Sequence, residues 1–415
     1  MDSCSHPSLV PLDDALEQIL HQVTRLNSLP QTLSIDKALG RILAEDVVSP
    51  FDIPHADNSA MDGYAMKAED STASLTVIAT VYAGHPFTGE VKKGECVRIM
   101  TGGEIPKGAD AVIMQENANV ESDNNSLYNT VSFREAASSR QNVRPKGEDI
   151  AKGACVLKKG HRLKAADIGL LASLGLSKVS VVSPLKVAVI STGDELQIPG
   201  TPLAPGQFYE SNGFTSSAML ERFGVEVINL GIVRDDLEEL RNAFRKADEL
   251  ADVVITSGGV SVGEADYSKQ VVEELGQIDF WKVAIKPGKP FAFGRLPSSY
   301  FIGLPGNPVS SMVTLHQLGF PILRKLQGEQ DKSRIRIKAK TTKPLRKRPG
   351  RTDFQRAIYH TDVSGQVWVQ ATGGQGSGLL TSMSQANCYI VLEQERGHVE
   401  QDEEVMIEPF DGFIA

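Results

Sequence analysis

Lys186-Val187-Ala188-Val189-Ile190 runs straight into Ser191-Thr192-Gly193-Asp194-Glu195-Leu196, and this junction decides the fold. The apolar run has no polar interruption, so it reads as a strand buried on both faces, and the loop with its glycine and hydroxyls ends it. The pattern repeats outward. A helix is expected from about Asn212 to Phe223, stopped by Gly224, and a strand follows over 225–233. Leu237, Leu240, Phe244 and Ala247 mark one face of the next helix, which leads into the strand Asp252-Val253-Val254-Ile255-Thr256. A third helix is expected over 268–275, with further strands over 280–285, 291–294 and 300–303. A long helix then begins at Pro308, with Asn307 as its N-cap, and runs to about Leu326. Strand alternating with helix implies a doubly wound α/β domain, its parallel sheet covered on both faces, over 184–328.

The chain has 415 residues, too many for one ordinary domain. Leu12, Ala15, Leu16, Ile19 and Val23 recur at helical spacing, and a second helix fits 34–45. Short β-like runs broken by glycines fill the stretch from Leu75 to Phe133, and helical spacing returns over 165–174. From Arg334 onward the chain reads as short strands, with Gly373, Gly374, Gly376 and Gly378 between two of them. The expected fold is therefore a multi-domain α/β chain in four parts. These are a discontinuous helical or mixed linking region (1–50 and 144–183), a β-rich module (51–143), the α/β domain (184–328) and a small C-terminal β-barrel (329–415).

Composition excludes several classes. Apolar residues at 41% and charged residues at 23% exclude wholesale disorder. A net charge of −9 argues against a nucleic-acid partner, which would need a basic face. Cys4, Cys96, Cys155 and Cys388 form no C-x-x-C pair, and the histidines show no H-E-x-x-H spacing, so neither a zinc site nor a redox motif is indicated. Residues 1–10 lack the pattern of a signal peptide and no apolar run is long enough to span a bilayer. The expectation is a soluble protein of a reducing compartment, most simply the cytoplasm, with no membrane partner.

Open α/β sheets bind ligands at the carboxyl ends of their strands. Three loops there carry chemistry: Ser191 to Leu196, Ser257-Gly258-Gly259-Val260-Ser261-Val262-Gly263-Glu264-Ala265-Asp266-Tyr267, and Leu304-Pro305-Gly306-Asn307-Pro308. Glycines let backbone N–H groups approach an anion, hydroxyls add donors, and carboxylates offer oxygen ligands to a divalent metal. Any one loop reads equally well as a tight turn; three on one sheet edge point to a site. Neither G-x-G-x-x-G nor G-x-x-x-x-G-K-[ST] occurs, so a dinucleotide fold and a P-loop are unsupported. Lys282, Lys286 and Lys289 surround a Pro-Gly turn, and strand alternation would put Lys282 and Lys286 on one side as a phosphate clamp or as a solvated strand end. The basic run from Lys332 to Arg351 reads as an exposed strand face and receives no binding role.

Together with Asp57-Asn58-Ser59-Ala60-Met61-Asp62-Gly63-Tyr64-Ala65, Ile99-Met100-Thr101-Gly102 and Ile285-Lys286-Pro287-Gly288-Lys289-Pro290, these loops occur in the order of a known family. The sequence resembles the MoeA family of molybdopterin molybdenumtransferases, related to the E domain of gephyrin. The resemblance implies a MogA-like α/β domain and an elongated homodimer. It also implies Mg²⁺-dependent hydrolysis of adenylylated molybdopterin, molybdenum insertion from molybdate, and release of AMP with molybdenum cofactor. The implied partners are a MogA-like molybdopterin adenylyltransferase upstream and molybdoenzymes or their chaperones downstream. On this resemblance Asp62, Asp149, Glu195, Asp266 and Lys286 are expected in catalysis, and Asp194, Glu195 and Asp266 at the metal. Ser191, Thr192, Gly193, Asp235, Ser257, Gly258, Gly259, Ser261, Lys282, Lys289, Pro305 and Pro308 are expected to bind substrate, as are Thr101 and Arg144, which with Asp62 and Asp149 come from the facing subunit. Asp236 is a further candidate. Two other readings stay open: a related enzyme that adenylylates molybdopterin, against which the extra terminal parts argue, and a scaffold that binds a peptide on the same fold.

Overall fold

The fold, taken from a computed structural model, is described for residues 9–26, 29–121, 129–259, 267–330 and 334–414. The chain forms two compact units, one of residues 1–44, 160–164 and 179–415 and the other of 45–159 and 165–178.

In the first unit a six-stranded sheet runs in the order Glu226–Val233, Lys186–Thr192, Val253–Ser257, Tyr300–Leu304, Pro290–Arg295 and Gln277–Lys282. The first four strands are parallel. The last two are antiparallel, so the sheet is mixed where an all-parallel one is expected from the repeat. The cause is local: no helix separates Gln277–Lys282, Pro290–Arg295 and Tyr300–Leu304, and adjacent strands joined by short connections must reverse direction. Alternation along each strand feeds two cores. Val187, Val189, Val253 and Ile255 pack with Leu12, Ile19, Phe223, Phe320 and Leu323 on one face. Ala188, Ile190 and Val254 pack with Leu240, Phe244 and Val271 on the other. Each fully buried side chain of this size contributes roughly 1.5–3 kcal/mol, which is why a strand apolar on both faces must be covered on both.

The helices Leu12–Gln22, Asn212–Phe223 and Leu237–Leu250 lie where their periodicity places them, and Gly224 ends the second with φ of 92°. Residues 34–45 are not a helix. Only the 3-10 turn Ile35–Lys37 forms, and Ile42 and Leu43 make bridges to Arg162 and Val181, so tertiary pairing overrides the apolar spacing. The helix from Pro308 is interrupted by a π segment, Leu315–Gly319, before continuing as Phe320–Gln327.

The C-terminal strands Thr352–Thr361, Val367–Ala371, Ile337–Thr341, Glu404–Pro409 and Cys388–Leu392 pair in that order, and the last pairs back to the first. They close the expected barrel around Val369, Ile390, Val405 and Ile407. Ile285–Lys286 adds in parallel to Thr352-Asp353 and so joins the α/β domain to the barrel.

The second unit is built on a six-stranded sheet ordered Ala111–Met114, Gly63–Met66, Glu95–Ile99, Leu75–Val81, Thr130–Phe133 and Ala118–Glu121. Tyr64 and Met66 face one small core, Ala65 the other. Among the described residues no helix is long and apolar enough to cross a membrane.

Candidate active site

A cleft of about 1090 Å³ opens in the first unit at the carboxyl ends of the parallel strands. Three loops contribute as expected: Glu195 and Leu196 after Lys186–Thr192, Gly258 and Gly259 after Val253–Ser257, and Pro305 to Pro308 after Tyr300–Leu304. Gly259 has φ of 64°, and a Cβ there would lie 2.2 Å from that of Ser268, so this turn admits no side chain. The Gly258 N–H is used by the Leu304 carbonyl at 3.2 Å, tying two of the loops together.

Lys286 and Lys289 line the same cleft. Their turn is held by Gly288, whose φ is 111° and whose Cβ would meet Thr314 Oγ1 at 2.3 Å. Lys286 Nζ pairs with Asp353 Oδ2 at 3.0 Å; the carboxylate side chain is 4% exposed and the lysine 40%. The barrel adds Arg351, Gln375, Gly376, Ser377 and Gly378. Behind that glycine loop the Arg356 guanidinium is buried, its Nε donating to Ser382 Oγ at 3.0 Å and an Nη to the Gly376 carbonyl at 2.9 Å. Burial pushes its pKa down. Burial also pushes the Cys96 and Cys388 thiols up to about 12, so neither is a nucleophile.

In the second unit Asp62 Oδ1 accepts the Thr101 N–H and Oγ–H, both at 2.7 Å. These bonds hold its carboxyl below the ordinary carboxylate value. Arg144 is exposed on the strand Val143–Arg144, paired to Asn58–Ser59. Asp149 is exposed and its N–H donates to the Ile53 carbonyl at 3.0 Å.

Residues 10–175 match a family model described as the MoeA N-terminal region (domain I and II), residues 188–325 a probable molybdopterin binding domain, and residues 338–410 the MoeA C-terminal region (domain IV). The chain belongs to the MoeA family. It is 48% identical to a molybdopterin molybdenumtransferase of Haemophilus influenzae over 98% of this chain and 100% of that one. A second, from Nostoc, is 34% identical over 95% and 92% of the two chains. A solved molybdopterin biosynthesis MoeA protein from Pyrococcus horikoshii superposes with a TM-score of 0.82 at 31% identity, over 97% of this chain and 100% of that one.

Of the site residues expected in this MoeA-family chain, Glu195, Gly258, Gly259, Lys286, Lys289, Pro305 and Pro308 share the cleft. Ser191, Thr192 and Ser257 do not line it; they are buried, and Ser257 Oγ donates to Ser191 Oγ at 3.3 Å. Gly193 is likewise absent from the lining. Asp194 and Asp235 lie together away from it, the Asp235 N–H donating to Asp194 Oδ1 at 3.2 Å. Asp236 caps the helix Leu237–Leu250 by accepting the Glu238 and Glu239 N–H groups, which is a structural task. Lys282 ends its strand and Lys286 belongs to another, so the two do not share a strand face and Lys282 does not line the cleft. Ser261 and Asp266 lie outside the described residues. Among the described residues no three His, Cys, Asp or Glu side chains converge as a metal site.

The sequence reading missed the barrel wall. Arg351 belongs to the basic run given no role, yet it lines the cleft. Asp353 and Arg356 gave no sign beyond being polar residues in a strand. The run Gly373-Gly374-Gln375-Gly376 was the available signal, since such a loop invites close backbone approach.

Proposed function

We propose that this MoeA-family chain is a molybdopterin molybdenumtransferase, taking adenylylated molybdopterin and molybdate and releasing AMP and molybdenum cofactor. The observation that carries the reading is one cleft holding Glu195, the Gly258-Gly259 turn, and Lys286, Lys289 and Arg351. Phosphates and an oxyanion need cations and close backbone approach, and the three cations beside the side-chain-free Gly258-Gly259 turn suit that need. Glu195 is assigned to orienting the water that cleaves the phosphoanhydride. Ser191, Thr192, Gly193 and Ser257 support the turn from beneath.

Mg²⁺ is commonly held by one or two carboxylates plus substrate phosphates. Glu195 in the cleft would supply one such carboxylate, and Asp194, which accepts the Asp235 N–H outside the lining, and Asp266 are assigned to the metal as further ligands. A divalent metal held by these carboxylates would supply positive charge to offset that on the phosphate oxygens. Asp62, Thr101, Arg144 and Asp149, supplied across a homodimer, with Asp235, Ser261 and Lys282, complete the proposed machinery. The reading also includes a MogA-like adenylyltransferase as supplier, a cytoplasmic location, and the four-part division at 1–50 with 144–183, 51–143, 184–328 and 329–415.

The test is AMP release from purified adenylylated molybdopterin with Mg²⁺, with and without molybdate, beside the Glu195→Gln protein. Molybdate-dependent release that the variant loses supports the reading. Tight pterin binding without turnover replaces it with a carrier or scaffold. Chelation by EDTA should abolish release, and unchanged release would remove Mg²⁺ from the scheme.

A further inference from the structure

A cleft built to hold phosphates should exclude carboxylates that carry no metal or counter-charge, yet Glu210 lines it at 6% exposure. It makes no ion pair among the described residues. Its Oε1 accepts the Gly213 N–H at 2.6 Å, in the first turn of the helix Asn212–Phe223, and the Ser191 Oγ–H at 3.1 Å. The helix N-terminus and these two donors offset the cost of burying the charge. The arrangement is specific: a Cβ at Gly213 would lie 3.0 Å from both Glu210 Oε2 and Ser191 Oγ. Oε2 takes no hydrogen bond among the described residues.

Asn212 lines the same wall at 8% exposure. Its Nδ2 donates to the Gly306 carbonyl at 2.8 Å, which fixes the amide and leaves Oδ1 as a buried acceptor with no partner among the described residues. Buried polar atoms normally have partners, so an orphaned acceptor in a cleft marks a place for a donor from the ligand. The two hydroxyl protons behind the Glu210 carboxylate are already committed: Ser191 donates to Glu210, and Ser257 donates to Ser191 at 3.3 Å. Glu210 therefore offers acceptors only and Asn212 presents Oδ1 as its unpaired acceptor, one of its two Nδ2 protons being held by Gly306, so an oxyanion against the Glu210 carboxylate would be repelled.

The geometry points to a subsite in which Glu210 and Asn212 accept N–H groups from the pyrimidine edge of the substrate's pterin, with its phosphates directed to Lys286, Lys289 and Arg351. The inference rests on the molybdenumtransferase reading and adds the orientation of the substrate. A 2-amino-4-oxo pyrimidine presents its amino group beside a ring N–H, two adjacent donors for two acceptors. Adenine places its amino group beside acceptor nitrogens, which the paired acceptors Glu210 Oε2 and Asn212 Oδ1 disfavour. Sites built to hydrogen-bond a donor discriminate strongly, because the pairing atoms are otherwise stranded.

The experiment measures binding of adenylylated molybdopterin and of AMP by calorimetry to wild type, Glu210→Gln and Asn212→Ala, with a thermal melt of each. In the wild type the pterin substrate should bind far more tightly than AMP. Each variant should lose about 10-fold or more in affinity for the pterin substrate while its AMP affinity stays within about two-fold. Asn212→Ala leaves Glu210 in place, so the selective loss remains readable if Glu210→Gln fails to fold. Unchanged pterin affinity in folded variants, or equal loss for AMP, would overturn the subsite while leaving the enzyme reading intact. No binding of the pterin substrate by wild type would overturn both.

Discussion

The pair formed by Lys286 and Asp353 separates the stability of the cleft from its chemistry. Lys286→Gln removes the ammonium 3.0 Å from Asp353 Oδ2 and leaves that carboxylate, 4% exposed, with Gln355 Nε2 at 3.2 Å. Breaking a fully buried pair costs about 3–5 kcal/mol, and an exposed pair contributes about 0–1 kcal/mol. A lysine 40% exposed lies between these limits, so about 1–2 kcal/mol is expected. The double variant Lys286→Gln with Asp353→Asn replaces the stranded charge by an amide that can pair with the glutamine, and should recover most of that loss. Binding behaves differently. A unit charge 4 Å from a phosphate contributes about 4 kcal/mol at an effective dielectric of 20, and solvent exposure reduces this to about 1–2 kcal/mol, or 5- to 30-fold in affinity. That loss should appear in both variants and shrink in high salt, because exposed charges are screened. The assays are urea unfolding midpoints, calorimetric affinity for adenylylated molybdopterin at two ionic strengths, and AMP release. An unchanged midpoint in Lys286→Gln would refute the structural half. Recovery of affinity and AMP release in the double variant would refute the assignment of the lysine charge to substrate.

Gly288→Ala should destabilise by about 2–4 kcal/mol, since φ of 111° and a Cβ 2.3 Å from Thr314 Oγ1 combine backbone strain with overpacking; a melting temperature like that of wild type would show that the turn yields. Arg356→Lys removes the Ser382 and Gly376 contacts of a buried guanidinium and should cost about 2–4 kcal/mol together with most AMP release, read from unfolding and turnover on one preparation. Asp62→Asn should abolish AMP release with little change in unfolding, because both partners are exposed; a large loss of stability would make the residue structural. Hydrogen bonding holds the Asp62 carboxyl below its unfolded value of about 3.9, so the support it gives Thr101 is complete above that pH and is lost as pH falls through the lower folded value. The protection of the Thr101 amide against exchange, taken relative to the intrinsic rate at each pH, should thus be flat across neutral pH and fall only in acid, and a change near pH 6 would refute the assignment.

The parts of this molecule legible in its sequence are those governed by neighbours along the chain. Gly224 ends a helix because its own backbone turns to φ of 92°, and the loops after Thr192, Ser257 and Leu304 fall on one edge because strand order puts them there. Where neighbours compete with distant partners, the reading fails. Ile35, Ala38 and Ile42 have helical spacing, but bridges from Ile42 and Leu43 to Arg162 and Val181 take the segment away from a helix. Lys282 and Lys286 are four residues apart, yet they end in different strands because Ile285–Lys286 leaves its own sheet to pair with the barrel.

That last pairing explains most of what the sequence hid at the site. The register Ile285 to Thr352 and Lys286 to Asp353 brings the cationic turn against the barrel. The lysine thereby meets a buried carboxylate, and Arg351 and the glycine loop braced by Arg356 enter the cleft. No local pattern encodes a parallel two-residue contact between segments so far apart. The C-terminal barrel therefore forms a wall of the cleft. Substitutions there, at Asp353 or Arg356, should alter substrate binding as strongly as substitutions in the strand-end loops that carry the recognisable motifs.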